Sequence, residues 1–383
     1  MPTSYWLAEP RSPILGVSLD GPPDVVVVGA GVTGCSAALT LARAGLRVLV
    51  HDAREIAGGA SGRNGGFALR GGAAPYDVIA ASVGRDRACE LWHATEGALD
   101  RLEGVAGDSF RRIGSLRLAV DADERDELLS EFELLREDGF GAEWIADFDG
   151  SLAERCTGGI RHLPDGVLQP ARFVRRLAAR AAAARAEFRE FSRVDSIADA
   201  GAPLVVVATD GYPSGLLGEL EGLIVPTRGQ VIATEPIEER VFEVPHYGRH
   251  GFDYWHQTPD GRIVAGGFRD TSLESEFTAV EETTLVVQAA LDSFVASLVG
   301  RPLRVDYRWA GIFGLVLDFL PVVGPVPGQE GVWVAGGYSG HGNVLGFLCG
   351  ELVARAILGD RDPLLDLCEP ARLLGGSSTP IAK

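Results

Sequence analysis

Short runs with almost no polar residue stand out along the chain. Apart from Arg47, Val25–Val28, 46–50, Leu204–Val207 and 332–335 are apolar and mostly β-branched, the pattern of strands buried on both faces of a parallel sheet. Residues 33–44 carry helical periodicity and stop at Gly45, so the first two strands and this helix form a βαβ unit. Amphipathic helices are predicted over 87–103 and 123–137, with a strand at 115–120 between them, and an Ala/Arg-rich helix over 172–188. The pattern then changes. Residues 230–234, 251–258 and 262–267 alternate like antiparallel strands, the last two joined by the turn Pro259-Asp260-Gly261. A helix over 283–298, a strand over 303–310 and a helix over 343–358, stopped by Gly359, complete the reading.

Gly29-Ala30-Gly31-Val32-Thr33-Gly34 fits GxGxxG between the first strand and its helix. Gly29 permits the tight turn, Gly31 lets the backbone approach a pyrophosphate, and Gly34 lets helix and strand pack closely. Asp52 ends the second strand, where a carboxylate accepts hydrogen bonds from ribose hydroxyls. This motif serves NAD and FAD alike. The predicted class is α/β (α+β overall): a discontinuous Rossmann-type domain over 21–80, 150–226 and 308–370, and an antiparallel-sheet substrate domain over 81–149 and 227–307. Residues 1–20 form an N-terminal extension, and the irregular, Pro-rich stretch 1–23 is expected to lie on the surface.

The chain has 383 residues, 46% of them hydrophobic, and a formal charge of −18. That charge disfavours nucleic acid and anionic membranes as partners, and mildly favours a cationic substrate such as an amine. Five cysteines without a CxxC pair point to neither a disulfide framework nor a metal site. With no signal-peptide pattern and no apolar run of about 18 residues, a cytoplasmic location is expected.

Glycine density peaks over 58–72, GGASGRNGGFALRGG. The string REIAGGASGRNGG (54–66) closely resembles the stretch after the second strand in the D-amino-acid-oxidase-like (DAO) superfamily of flavoenzymes, nearest the gamma-glutamylputrescine oxidoreductase and glycine/sarcosine oxidase branch. SYW (4–6), VVATDGYPSGLL (206–217), VPTRGQVIATEP (225–236) and WVAGGYSGHGNVLG (333–346) extend the resemblance over nearly the whole chain. It implies FAD as cofactor. Contacts would come from Gly29, Gly31, Val32, Thr33, Gly34 and Asp52 in the first unit. Ala53, Arg54, Gly59, Ala60, Ser61, Arg63, Asn64, Gly65, Gly66 and Phe67 would join them from the loop, with Val194, Ala208, Thr209 and Gly211 from the middle of the chain. Gly337, Tyr338, Gly340, His341, Gly342 and Asn343 would face the flavin from the start of the last long helix, whose N-terminus favours negative charge.

Departures from the family refine what the resemblance implies. The lysine that sarcosine oxidases place above the flavin falls near Val264, and the only lysine here is Lys383. The cysteine that attaches flavin covalently in those enzymes is missing from IFGLVLDFLP (312–321), so FAD is expected to be non-covalent. Where glycine-oxidase-like enzymes carry a carboxylate-binding arginine after WAGLR, this chain has WAGIF and hence Phe313. Loss of that clamp points to an amine without an α-carboxylate, although Arg228, Arg249, Arg269 or Arg308 offers an anchor from another direction. Tyr254 matches a substrate-facing tyrosine, and with Trp255, His256, Phe313 and His341 it is expected at the substrate pocket. The family's strand meander is trimmed over 194–204. The expected reaction is oxidation of a primary or secondary amine by hydride transfer to flavin, with O2 or another acceptor. Oxidation of an amino or imino acid is the alternative, and flavin binding without turnover a third reading.

Overall fold

The computed structural model describes residues 3–14 and 18–375. Val25–Val28 is the centre of a six-stranded sheet, paired in parallel with Val48–His51 on one side and Leu204–Val207 on the other. Strands on both edges and layers on both faces explain why it has no polar residue. Glu187–Arg189 flanks Val48–His51, and Val332–Gly336 flanks Leu204–Val207, both in parallel. Val322–Pro325 closes the far edge antiparallel. The helix Val32–Arg43 packs against Val344–Ile357 and Pro170–Ala183. Val26, Val28, Leu49 and Val207 face a separate apolar cluster that includes Val194.

An eight-stranded, mostly antiparallel sheet forms the second layer system. Its order is Val305–Leu315, Val225–Thr234, Ile263–Gly267, Asp253–Gln257, His246–Gly248, Ser115–Ala119, Gly158–His162 and Ala142–Ile145. The hairpin between Asp253–Gln257 and Ile263–Gly267 is closed by the Gly261 N–H donating to the Thr258 carbonyl at 3.0 Å, with Gly261 at φ +90°. Three short strands, Phe67–Ala68, Gly166–Leu168 and Phe110–Arg112, form a small sheet of their own.

Several expectations change. The helix expected over 172–188 ends at Ala183, because Arg185 turns to φ +75° and donates its N–H to the Ala182 carbonyl at 2.9 Å. The freed residues form the edge strand Glu187–Arg189. The strand expected over 303–310 runs on to Leu315 and carries Phe313 within it. Cuts at 150, 226 and 307 would separate Gly158–His162 from its sheet and divide two strands that stay paired from Val225–Leu315 to Thr234–Val305. The N-terminal stretch is not confined to the surface: Trp6 is 2% exposed, and the Ser4 hydroxyl donates to the Gly62 carbonyl. Over 193–203 the chain has only the turn Ala198–Ala200 and no strand.

Candidate active site

The first turn is shaped by two glycines. Gly29 sits at φ +110°, and a Cβ on Gly34 would stand 1.8 Å from the Gly29 carbonyl oxygen. Only glycine allows helix and strand to approach this closely. The helix starts without a side-chain cap on Gly31, and the Val32 N–H is met by the Ser61 hydroxyl at 2.9 Å. Asp52 accepts from the Ala30 N–H at 2.6 Å and the Arg54 N–H at 2.7 Å. Burial raises its pKa, against those hydrogen bonds. The carboxylate therefore ties the turn at Ala30 to the chain that follows the second strand.

The glycine-rich loop is fixed through its carbonyls. Trp309 Nε1 donates to the Arg63 carbonyl at 2.8 Å, Trp6 Nε1 to the Asn64 carbonyl at 2.7 Å, and His256 Nε2 lies 2.9 Å from the Gly65 carbonyl. A planar trans peptide points its N–H opposite its C=O. Pulling three successive carbonyls outward thus turns the Asn64 and Gly65 amides the other way. The Gly66 N–H is taken by Asn64 Oδ1 at 2.8 Å. Asn64 is in turn clamped by Asn343 through two amide contacts at 3.1 Å, and Asn343 also donates to the Phe67 carbonyl at 2.7 Å. Asn343 stands at the start of Val344–Ile357, so the loop and the last long helix are locked together.

Asp210 ties in the middle of the chain. It is held at φ +49° and accepts from the Gly337 N–H at 2.8 Å and the Gly314 N–H at 2.9 Å. Burial raises its carboxyl pKa and these amides oppose that rise. Beside it, Thr209 Oγ1 is buried without a hydrogen-bond partner, and Tyr338 bonds Thr33 through their hydroxyls at 2.8 Å.

These segments enclose a cavity of about 450 Å³. Of the cofactor residues expected from the sequence, Gly31, Val32 and Thr33 reach its wall from the turn, and Ala60, Ser61, Arg63, Asn64, Gly65 and Phe67 from the loop. Ala208, Tyr338, Gly340, His341, Gly342 and Asn343 complete that side. Gly29, Gly34, Asp52, Ala53, Arg54, Gly59, Gly66, Val194, Thr209, Gly211 and Gly337 are not among the residues that line it.

Tyr254, Phe313 and His341 line the cavity. Tyr254 packs edge-on to Phe67 at 5.6 Å and leaves no room for a Cβ on Gly65. Burial pushes its pKa up to about 12, and its hydroxyl has no hydrogen-bond partner among the described residues. His256 does not line the cavity. It lies behind the loop, stacked on Trp6 at 6.1 Å, and its role is to hold Gly65. Trp255, one residue earlier on the strand, faces the opposite side and stacks on His246 at 5.1 Å. Val264 is also buried in the sheet, away from the cavity.

The arginines divide in the same way. Arg228 is paired with buried Glu276 at 2.8 Å, Arg249 with Asp253 and Asp270, and Arg308 with Asp292. Arg269 reaches the cavity wall instead. It lies 4.5 Å over the Phe252 ring and 5.8 Å from that of Phe313, with no acidic side chain within 4 Å among the described residues. Sequence reasoning missed Trp6, Trp309 and Asp210 as supports of the site, although their strings were conspicuous.

Comparison with known proteins decides the family. The model of the DAO family, FAD dependent oxidoreductase, matches residues 24–356. The chain belongs to that family. It is 30% identical to the gamma-glutamylputrescine oxidoreductase of Escherichia coli, over 88% of this chain and 84% of that one. It is 29% identical to the probable oxidoreductase OrdL of Haemophilus influenzae, over 89% and 84% of the two chains. In fold it is similar to L-proline dehydrogenase from P. horikoshii, with a TM-score of 0.76 and 20% identity over 94% and 99% of the chains. It is likewise similar to glycine oxidase from Geobacillus kaustophilus, at 0.74 and 21%, over 91% and 98%.

The chain is therefore an FAD-dependent oxidoreductase, and its residues fit the cofactor. The close-packed turn at Gly29–Gly34 and the helix N-terminus behind it suit a pyrophosphate, since the macrodipole and the first-turn amides other than that of Val32, which Ser61 meets, attract anions. No described helix is long and apolar enough to cross a membrane.

Proposed function

We propose that this family member oxidises a C–N bond of a primary or secondary amine. The C–H bond beside nitrogen breaks with its electron pair, the nitrogen gives up a proton, and the resulting C=N bond is hydrolysed to a carbonyl compound and an amine or ammonia. FAD, when bound, supplies the hydride acceptor, to be reoxidised by O2 or another acceptor. The observation that carries this reading is the cavity that the 60–67 loop shares with Tyr254 and Phe313. Tyr254 can orient an amine nitrogen through its unpartnered hydroxyl, while Phe313 and Phe67 exclude water from the reacting carbon. Such positioning supplies much of the rate when the bond to be broken is already activated by nitrogen. Similarity to gamma-glutamylputrescine oxidoreductase supports an amine substrate. No cysteine lines the cavity, so we expect FAD to be held non-covalently and released into the supernatant on acid precipitation.

A second reading, oxidation of an amino acid, is favoured by Arg269. Burial lowers its pKa, and no acidic side chain among the described residues pairs with it, so a substrate carboxylate would meet a cation ready for it. The two readings are separated by product analysis of the FAD-loaded enzyme with amines and with α-amino acids. Release of an aldehyde from amines, slowed severalfold by deuterium on the carbon beside nitrogen, supports the first. Turnover of α-amino acids alone, with KM raised about tenfold or more by Arg269→Gln, selects the second. Absence of carbonyl product from every compound would overturn both.

A further inference from the structure

The stretch 277–284 is neither helix nor strand, yet it is fastened at two points to the strand Val225–Thr234. Arg228 donates to the Val280 carbonyl at 3.3 Å, and Gln230 Oε1 accepts from the Thr284 N–H at 2.9 Å. Between these anchors stands Glu281, whose side chain is 1% exposed. A carboxylate is withdrawn this far from water only where cations and hydrogen-bond donors replace its hydration.

Its partners belong to the glycine-rich loop and to the chain that follows Leu204–Val207. Arg54 Nη1 donates to both carboxylate oxygens, at 2.8 and 2.7 Å, and the Tyr212 hydroxyl donates to one of them. The Arg54 guanidinium also lies 4.7 Å over the Tyr212 ring. Burial, with Glu281 nearby, raises the Tyr212 pKa, so the phenol keeps its proton and remains a donor. Arg63 Nε stands 3.8 Å from the carboxylate and donates to the Gly58 carbonyl at 3.0 Å. Arg63 is buried and lines the cavity, whereas Glu281, Arg54 and Tyr212 do not. What this side presents to the cavity is thus a guanidinium with a carboxylate behind it.

We propose that Glu281 is a positioning residue for flavin reduction: by offsetting the charge of Arg54 and Arg63 behind the loop, it holds down the reduction potential of FAD bound in the cavity. Two-electron reduction adds negative charge to the flavin ring, and a buried cation nearby favours the reduced form. A carboxylate against that cation cancels part of the effect, the more so where water is excluded. Without it the flavin would take electrons from the substrate more readily and pass them to an acceptor less readily. The inference rests on the reading of the 60–67 loop as the support of the flavin, and its test separates the two.

The test is the two-electron midpoint potential of the FAD-loaded enzyme, measured anaerobically at one pH by equilibration with a redox dye. Glu281→Gln keeps the shape of the side chain and an acceptor for Tyr212. It should raise the ratio of reduced to oxidised flavin about tenfold at a given dye ratio, a shift of about 30 mV. Glu281→Asp keeps the charge and should stay within about twofold of wild type, whereas a role confined to packing would move both variants alike. Arg63→Gln, which keeps a donor for the Gly58 carbonyl, should shift the ratio the other way. Where Glu281→Gln does not fold, Tyr212→Phe reads the same carboxylate: loss of that donor leaves more of its charge to act, and the ratio should fall. The proposal is overturned if Arg63→Gln lowers the ratio while Glu281→Gln leaves it unchanged or lowers it, if Glu281→Asp matches Glu281→Gln, or if Tyr212→Phe raises it. No shift in either Arg63→Gln or Glu281→Gln would instead overturn the placement of the flavin against the loop.

Discussion

At the scale of single residues, His256 shows how a side chain outside the cavity controls what lines it. Burial lowers its pKa to about 4, so the ring stays neutral and holds the Gly65 carbonyl through Nε2–H. The folded value lies below the ordinary 6.5, so on acidification the unfolded chain takes up this proton first. Its contribution is complete above pH 6.5 and lost as the pH falls toward 4, on the order of 3 kcal/mol across that window. His256→Gln keeps a donor but does not titrate. Urea unfolding should therefore show wild type losing more stability than the variant between about pH 7 and pH 4. Parallel curves would show that His256 is not held neutral. The strings that contain Tyr254 and Phe313 are enough to place both on the cavity. His256 lies on the other side of the loop from the one its string suggests, because a two-residue alternation does not reveal whether a polar ring faces a cavity or a buried carbonyl. Trp6 and Trp309 carry no sequence signal for their role, since they bond backbone atoms nearly sixty and nearly 250 residues away.

Elements are legible where burial imposes a period. The strands Val25–Val28 and Leu204–Val207 are packed on both sides, and their composition shows it. The helix Pro170–Ala183 looks longer in sequence than it is, because Ala and Arg continue past its end and nothing in helix propensity marks Arg185 as the stop. The stop is a left-handed residue without glycine, at φ +75°, and its ion pair to Asp20 is exposed on both sides and contributes little. Arg185→Gly should therefore stabilise the fold by about 1 kcal/mol, read from the urea midpoint. A loss of stability would mean that the Arg185 side chain makes contacts of greater worth than its backbone strain.

Across the whole molecule, three distant segments meet at one loop. Asn343 clamps Asn64, Asp210 joins Gly314 to Gly337, and buried Glu281 receives Arg54 at 2.7 Å and the Tyr212 hydroxyl. Glycine-rich strings mark the loop and the segment of Asn343, but none marks Glu281, and the way the segments interlock is a property of side chains visible only in three dimensions. The same interlocking fixes the loop that lines the near end of the cavity. The most direct measurement of the account is the flavin absorbance of the FAD-loaded enzyme under anaerobic conditions as amines and amino acids are added in turn. The oxidised flavin band should bleach with at least one amine, in proportion to the amine consumed. A band that persists with every amine and amino acid would contradict the assignment of this cavity to C–N oxidation.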